Sequence, residues 1–135
     1  MPVRISSNAR NASTDGVVAL CNAGSGAAVV KIYTGSQPAS ADTAATGTLL
    51  ITWTLSDPAF GAAASGTATA ASMPKNANAV ASGTAGYARI EDSNGNSIAD
   101  ADVGTTGTPV TVSSTTIVSG SPYTLDSLSY TQPAG

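Results

Sequence analysis

The sequence predicts a mainly β fold, an antiparallel β-sandwich of jelly-roll or immunoglobulin-like type with one short N-terminal helix. About six or seven short runs rich in β-branched residues recur along the chain, with turn residues between them. A helical spacing of apolar residues occurs once, before the first of these runs. The length of 135 residues is typical of one domain. We therefore expect a single domain over 1–135, with a helix at about 7–22 and a sandwich at about 28–131.

The predicted helix, residues 7–22, has apolar side chains at intervals of three to four: Ala9, Ala12, Val17, Leu20 and Cys21. Ser7 or Asn8 can cap its first turn, because a short polar side chain can accept a hydrogen bond from a free backbone amide there. Gly24 and Gly26 follow the last apolar position and predict the end of the helix.

The first half of the sandwich contains the clearest strand. Residues 28–34 predict one strand, residues 35–47 predict a surface loop, and residues 48–56 predict a second strand. The second strand alternates, with apolar residues on one face at Leu49, Ile51, Trp53 and Leu55. We expect a half-buried strand that ends at Asp57-Pro58 and has Trp53 in the core.

The next segment predicts a hairpin around Asn94-Gly95. Residues 59–82 are rich in alanine and predict only one short strand, near 67–71. Residues 87–91 and 97–103 read as strands, and Asn-Gly between strands is typical of a two-residue turn with positive φ. That turn places Asp92 opposite Ser97, Ile90 opposite Ala99 and Arg89 opposite Asp100. Residues 110–118 and 123–131 predict a second hairpin.

Composition argues against several functional classes. Only 10% of residues are charged and the net charge is −3, and the five basic residues are scattered, so we expect no nucleic-acid partner. No apolar run is long enough to span a bilayer and no signal peptide is apparent, so we expect no membrane partner and a mature chain that begins near Met1 or Pro2. The absence of histidine removes the commonest general base and metal ligand.

Three groups of residues could still carry chemistry, and each has a simpler interpretation. Lys31 or Lys75 could pair with a serine nucleophile, but neither lies in a recognisable motif. Residues 92–96 resemble the start of a calcium loop, but the glycine spacing and the final acid are wrong, so a β-turn is expected. Asp100 and Asp102 share a strand face, where register or solvent contact is expected. We predict no catalytic, cofactor or metal residues, and a non-enzymatic protein.

Five segments carry a resemblance to a known family: Ser7–Ala12, Lys31–Pro38, Thr46–Leu50, Leu55–Gly61 and Gly86–Ile90. In these, and over most of residues 6–104, the chain resembles small virion proteins of tailed bacteriophages. The resemblance implies a virion structural protein, and the expected role is a capsid decoration (cement) protein. It would be made in the host cytoplasm, bind the major capsid protein on the capsid exterior and self-associate, with a trimer expected.

The sequence is also compatible with a second function. A tail fibre or spike could use such a domain as a receptor-binding or carbohydrate-binding module. Such modules usually display exposed aromatic side chains for stacking on sugars. The sequence places Trp53 and Tyr33 in strands of core type, which favours the decoration role.

Overall fold

The computed structural model describes residues 3–22 and 26–132, and it is mainly β with one α-helix among them. The helix α1 spans Ser7–Ala19 and continues into a 3-10 turn at Leu20–Asn22. The strands are β1 Val29–Tyr33, β2 Leu49–Thr54, β3 Thr67–Thr69, β4 Lys75–Asn78, β5 Gly83–Thr84, β6 Tyr87–Glu91, β7 Ser97–Ala101, β8 Val103–Gly104, β9 Val110–Val112, β10 Thr116–Ile117 and β11 Pro122–Thr131. The predicted fold class is confirmed.

The first sheet has four antiparallel strands in the order β2-β1-β6-β7. Val30 lies opposite Trp53 on one side and Ile90 on the other, so one face of the sheet is apolar across three strands. In the part of the chain that the structure describes, strand β7 pairs with β6 alone, and it forms one edge of this sheet.

The second sheet is built around the long strand β11. Strands β4 and β3 both pair with β11, β4 with its first half and β3 with its second half. Strand β9 also pairs antiparallel with β11, and β8 pairs parallel with β9. A separate two-stranded ladder joins β5 to β10.

One hydrophobic cluster joins the two sheets, which gives the fold its sandwich-like character. The first sheet contributes residues such as Val30 and Trp53, and the second contributes Val112, Leu125 and others. Trp53 is 1% exposed, and its indole Nε1 donates to the Tyr123 carbonyl at 3.2 Å. The prediction of Trp53 in the core is confirmed, and its one polar atom has a partner there.

Strand β2 is more deeply buried than the alternation predicts. Ile51 lies opposite Ile32, but Leu49 lies opposite the next residue, Tyr33, so Leu50 is an extra residue in a bulge. Leu50 is buried along with Ile51. A bulge turns successive side chains away from strict alternation, which a pattern of period two does not anticipate.

The predicted helix exists, but its start and its buried face differ from the prediction. The cap is Ser6, whose Oγ accepts from the Ala9 amide at 3.2 Å, and neither Ser7 nor Asn8. The buried residues are Thr14, Val18 and Cys21, whereas three of the predicted apolar positions are exposed: Ala9, Ala12 and Leu20. Cys21 was a predicted position and Val17 is partly buried, so the predicted face is right in part. The burial of Thr14, whose hydroxyl donates to the Gly66 carbonyl, is what a purely apolar pattern missed. Gly24 lies outside the described residues.

The hairpin prediction is correct for the residue pairs away from the turn and wrong at the turn itself. Arg89 lies opposite Asp100 and Ile90 opposite Ala99, as predicted. A bulge then places Ser97 opposite Glu91 instead of Asp92. The Gly95 amide donates to the Asp92 carbonyl, and Gly95 alone in this turn has positive φ, at 85°. The loop is therefore a three-residue type I turn with a glycine bulge, and Asn94 does not need the positive φ that a primed turn requires.

Two further predictions need correction in the second half of the chain. Residues 59–82 contain β3 as predicted but also β4, whose Lys-Asn-Ala-Asn sequence has low β-propensity and pairs because β11 offers it an edge. The predicted second hairpin is only partly formed. Strands β9 and β11 pair, but β10 leaves to pair with β5. The predicted strand over 97–103 ends at Ala101, and β8 then joins the second sheet.

Candidate functional site

The first sheet carries a layer of charged and aromatic side chains on the face turned away from the core. We call this the charged layer, and it consists of alternate residues of β1 and β6 with one residue of β7: Lys31, Tyr33, Tyr87, Arg89, Glu91 and Asp100. Strand alternation places them together, since their neighbours Ile32, Ala88 and Ile90 belong to the core. The layer gathers two basic and two acidic side chains on one face of the sheet.

Arg89 and Asp100 form the centre of the charged layer. Arg89 Nε donates to Asp100 Oδ1 at 2.7 Å, and Nη2 donates to Oδ2 at 3.0 Å. The two side chains are only 4% and 5% exposed. Hydrogen bonding to Asp100 is the largest cause that raises the pKa of the guanidinium above its usual value. The pair is therefore a fixed, neutralised unit.

A second ion pair lies beside the first on the same face. Lys31 Nζ is 2.9 Å from Glu91 Oε1, with side-chain exposures of 28% and 12%. The hydrogen bond to Glu91 is the main cause that raises the pKa of Lys31. Lys31 was a candidate partner for a serine nucleophile, but in the structure its ammonium pairs with the Glu91 carboxylate.

The loop of residues 35–47 is anchored along this face. The Tyr87 hydroxyl donates to the Thr46 carbonyl at 2.8 Å and accepts from the Thr46 amide at 3.0 Å. Ser97 Oγ donates to the Ala41 carbonyl, a bond at the far strand. Tyr87 also stacks on Tyr33, with ring centroids 5.3 Å apart. The loop predicted at the surface therefore lies against the charged layer and helps to bury it.

An open cleft of about 340 Å³ lies beside the edge strand β7. Its lining is Gln37, Ile90, Ala99, Asp100, Ala101, Asp102, Pro109, Tyr130 and Thr131. Gln37 Nε2 donates to Asp102 Oδ1 at 3.1 Å, so the loop reaches the rim of the cleft. Asp100 and Asp102, predicted as a strand-face pair, thus have different surroundings: Asp100 is buried against Arg89, and Asp102 is exposed at the rim.

The candidate calcium loop is a self-contained turn. Asp92 Oδ1 accepts from the amides of Asn94 and Asn96, each at 2.9 Å, and Oδ2 accepts from the Asn96 side chain at 3.1 Å. These bonds, that from the Asn96 backbone first, lower the pKa of Asp92. Within residues 3–22 and 26–132 no group of three or more His, Cys, Asp or Glu could hold a metal ion. A turn is thus present where it was expected in place of a calcium loop, with the three-residue geometry described above.

The remaining candidate residues lie in separate places. Lys75 Nζ donates to Ser56 Oγ at 2.8 Å, so one serine and one of the two candidate lysines do meet. The pair joins the start of β4 to the segment after β2, away from the cleft lining. Burial, with a smaller effect of Asp92, raises the pKa of Cys21 to about 11, which keeps its thiol protonated at neutral pH.

The sequence prediction missed most of the charged layer. It identified Arg89 and Asp100 as partners but not the Lys31–Glu91 pair or the Tyr87 contact with the loop. The signal was present in the alternation of β6, where Tyr87, Arg89 and Glu91 are two residues apart. A strand with apolar residues on one face and charged residues on the other normally has the charged face in solvent, which is why a covering loop was not anticipated.

Comparison of the chain with protein-family models, with curated proteins and with solved structures finds no significant match in any of the three. In the part of the chain that the structure describes, no helix is long and apolar enough to cross a membrane.

Proposed function

We propose that this protein is a structural component of a tailed-phage virion, a decoration protein that binds the outside of the head and stabilises the shell. The observation that carries the proposal is that the buried charged and polar side chains are bound to partners within the fold. The charged layer contains two ion pairs, and no buried side-chain nitrogen or oxygen in the described residues lacks a partner. Buried polar groups that all have partners make a fold rigid, which suits a protein that stabilises a shell.

The composition supports the same role. Only 10% of residues are charged, and serine, threonine, alanine and glycine dominate the sequence. A decoration protein occupies many identical sites, so modest affinity at each site gives strong attachment of the whole coat. The resemblance to small tailed-phage virion proteins, over most of residues 6–104, favours the same class of assembly, with the major capsid protein as the expected partner.

The experiment is reconstitution on phage heads. Shells stripped of the protein are mixed with purified, labelled protein, and bound copies are counted by electron microscopy and sedimentation. We expect saturable binding at regular positions on the outer surface and a higher melting temperature of the decorated shell. Binding confined to tails or fibres, or no binding to shells, would overturn the proposal.

The cleft favours one other function, a receptor-binding or carbohydrate-binding module of a tail fibre. Tyr130 lines the cleft together with Gln37 and Asp102, and an aromatic ring beside amide and carboxylate groups suits a sugar. Saturable binding to host cells or to glycans that is lost in Tyr130→Ala, with no binding to shells, would favour this function instead.

A further inference from the structure

Strand β7 leaves backbone hydrogen-bonding groups free at the sheet edge. The Leu55 amide donates to the Ala28 carbonyl, so the backbone groups of Ala28 point towards β2. By alternation the backbone groups of Val30 and Ile32 also point towards β2, and those of the residues between them point towards β6. Since these directions alternate along antiparallel strands, Ile90 turns towards β7, and Asp100 turns its amide and carbonyl away from β6. We find no hydrogen bond to these two outward groups from residues 3–22 or 26–132. An unpaired edge of this kind can accept another strand.

The cleft beside this edge is apolar inside and acidic at its rim. Ile90, Ala99, Ala101 and Pro109 supply apolar lining, and the two carboxylates in the lining are those of Asp100 and Asp102. Arg89 already neutralises Asp100, so Asp102 leaves an uncompensated negative charge there. The cleft therefore suits an extended peptide with small apolar side chains and one cation.

The segment before α1 has this chemistry. Residues 3–6, Val-Arg-Ile-Ser, contain no helix or strand, and we call them the N-terminal arm. Val3 is 79% exposed, so a contact with a second copy would remove apolar surface from water. Arg4 is exposed and forms no ion pair with the described residues. Ile5 follows, so the arm alternates apolar, basic and apolar.

We propose that the N-terminal arm of a second copy of this chain adds as a strand to the free edge of β7. With Arg4 opposite Asp100, its side chain lies on the same face as that carboxylate and near Asp102. Val3 and Ile5 then fall on the opposite face, the one that Ala99 and Ala101 present to the cleft. In this one register the arm pairs with the free backbone groups of Asp100, buries Val3 and Ile5 against the apolar lining of the cleft, and places Arg4 near the uncompensated charge of Asp102. The inference concerns contacts between copies in solution and does not depend on binding to a phage head.

The experiment uses complementary charge reversals in the full chain. Wild type, Arg4→Glu and Asp102→Lys are compared by analytical ultracentrifugation at low and high salt, with Asp126→Lys as a matched control. Asp126 is also an exposed acid on a strand, and it does not line the cleft. We expect concentration-dependent association of wild type and of the control, and association at least about tenfold weaker in each of the other variants.

Mixing the two weakened variants distinguishes an exchange between copies from a general charge effect. The acidic arm of the Arg4→Glu variant meets the basic cleft rim of the Asp102→Lys variant, so the mixture should associate more strongly than either variant alone. At concentrations where every variant is monomeric, circular dichroism should be unchanged and the melting temperature nearly so, because both positions are exposed and Asp102→Lys removes only an exposed hydrogen bond from Gln37. A wild type that stays monomeric at millimolar concentration, or a mixture that associates no better than its components, would overturn the proposal.

Discussion

Arg89 and Asp100 face each other across β6 and β7 in a bidentate ion pair whose side chains are almost fully buried, with exposures of 4% and 5%. Their pairing was predicted from the hairpin register, but their burial was not. An exposed cross-strand pair contributes roughly 0.2 to 1 kcal/mol. A buried pair is different, since removal of one partner leaves the other charge without compensation.

We therefore expect Arg89→Leu to lower the free energy of unfolding by about 3 to 5 kcal/mol. The double variant Arg89→Leu/Asp100→Leu should lose much less than the sum of the two single variants, because it leaves no isolated buried charge. Urea unfolding of the full cycle measures this coupling. Lys31→Met is the comparison: Lys31 is 28% exposed and Glu91 12%, so this pair is better solvated and its loss should cost clearly less than Arg89→Leu. Equal effects in the two pairs would contradict the prediction.

Trp53 is the single tryptophan of the chain and is almost fully buried in the cluster that joins the sheets. Trp53→Ala should lower the free energy of unfolding by about 3 to 5 kcal/mol, from lost burial and the cavity that remains. Trp53→Phe should cost less, because it keeps most of the volume. Emission of the folded protein should be blue-shifted and should move to longer wavelength on unfolding. A spectrum of water-exposed indole in the folded state would show that the core assignment is wrong.

The turn at Asp92 predicts a pH dependence. Hydrogen bonds hold its pKa below the usual value of 3.8, so the ionised form is favoured by folding. That stability is present above the unfolded pKa and is lost as the pH falls through the folded one, below about pH 4. Asp92→Asn should remove this part of the acid dependence and lower the stability at pH 7, whereas the exposed control Asp126→Asn should do neither. Calcium should not change the melting temperature, and a calcium-dependent rise abolished in Asp92→Asn would contradict the turn assignment.

Gly86 fixes the base of the loop over the charged layer. A Cβ atom at this position would lie 1.8 Å from the Gly35 carbonyl oxygen, closer than any real contact. Gly86→Ala should displace the base of the loop, cost about 1 to 3 kcal/mol and speed proteolysis within residues 35–47. Gly16→Ala is the matched control, since nothing lies within 4 Å of a Cβ atom there. Replacing a glycine inside a helix by alanine should raise the free energy of unfolding by about 0.5 to 1 kcal/mol. Unchanged proteolysis in Gly86→Ala would show that the loop is held elsewhere.

The sequence alone determined the class of the fold and the elements with strong local signals. The alternation around Trp53 predicted β2, the β-branched run before Gly35 predicted β1, and Asn94-Gly95 predicted the hairpin with Arg89 opposite Asp100. These features depend on residues close together in the chain, where periodicity, β-propensity and turn preference all favour the same structure. The sequence also argued correctly against a calcium loop at residues 92–96, because its glycine spacing and its final residue do not fit one.

Only the tertiary structure decided which segments cover the faces of the sheet and helix, and which strands pair with one another. Strand β4 forms against β11 despite its poor propensity, β10 pairs with β5 rather than with the neighbouring β11, and the buried face of α1 includes Thr14, whose hydroxyl donates to the Gly66 carbonyl at 2.7 Å. The loop of residues 35–47 returns across the charged layer and helps to bury it. Each of these contacts joins segments far apart in the chain, and its stability comes from desolvation and hydrogen bonding between them, which no local pattern encodes.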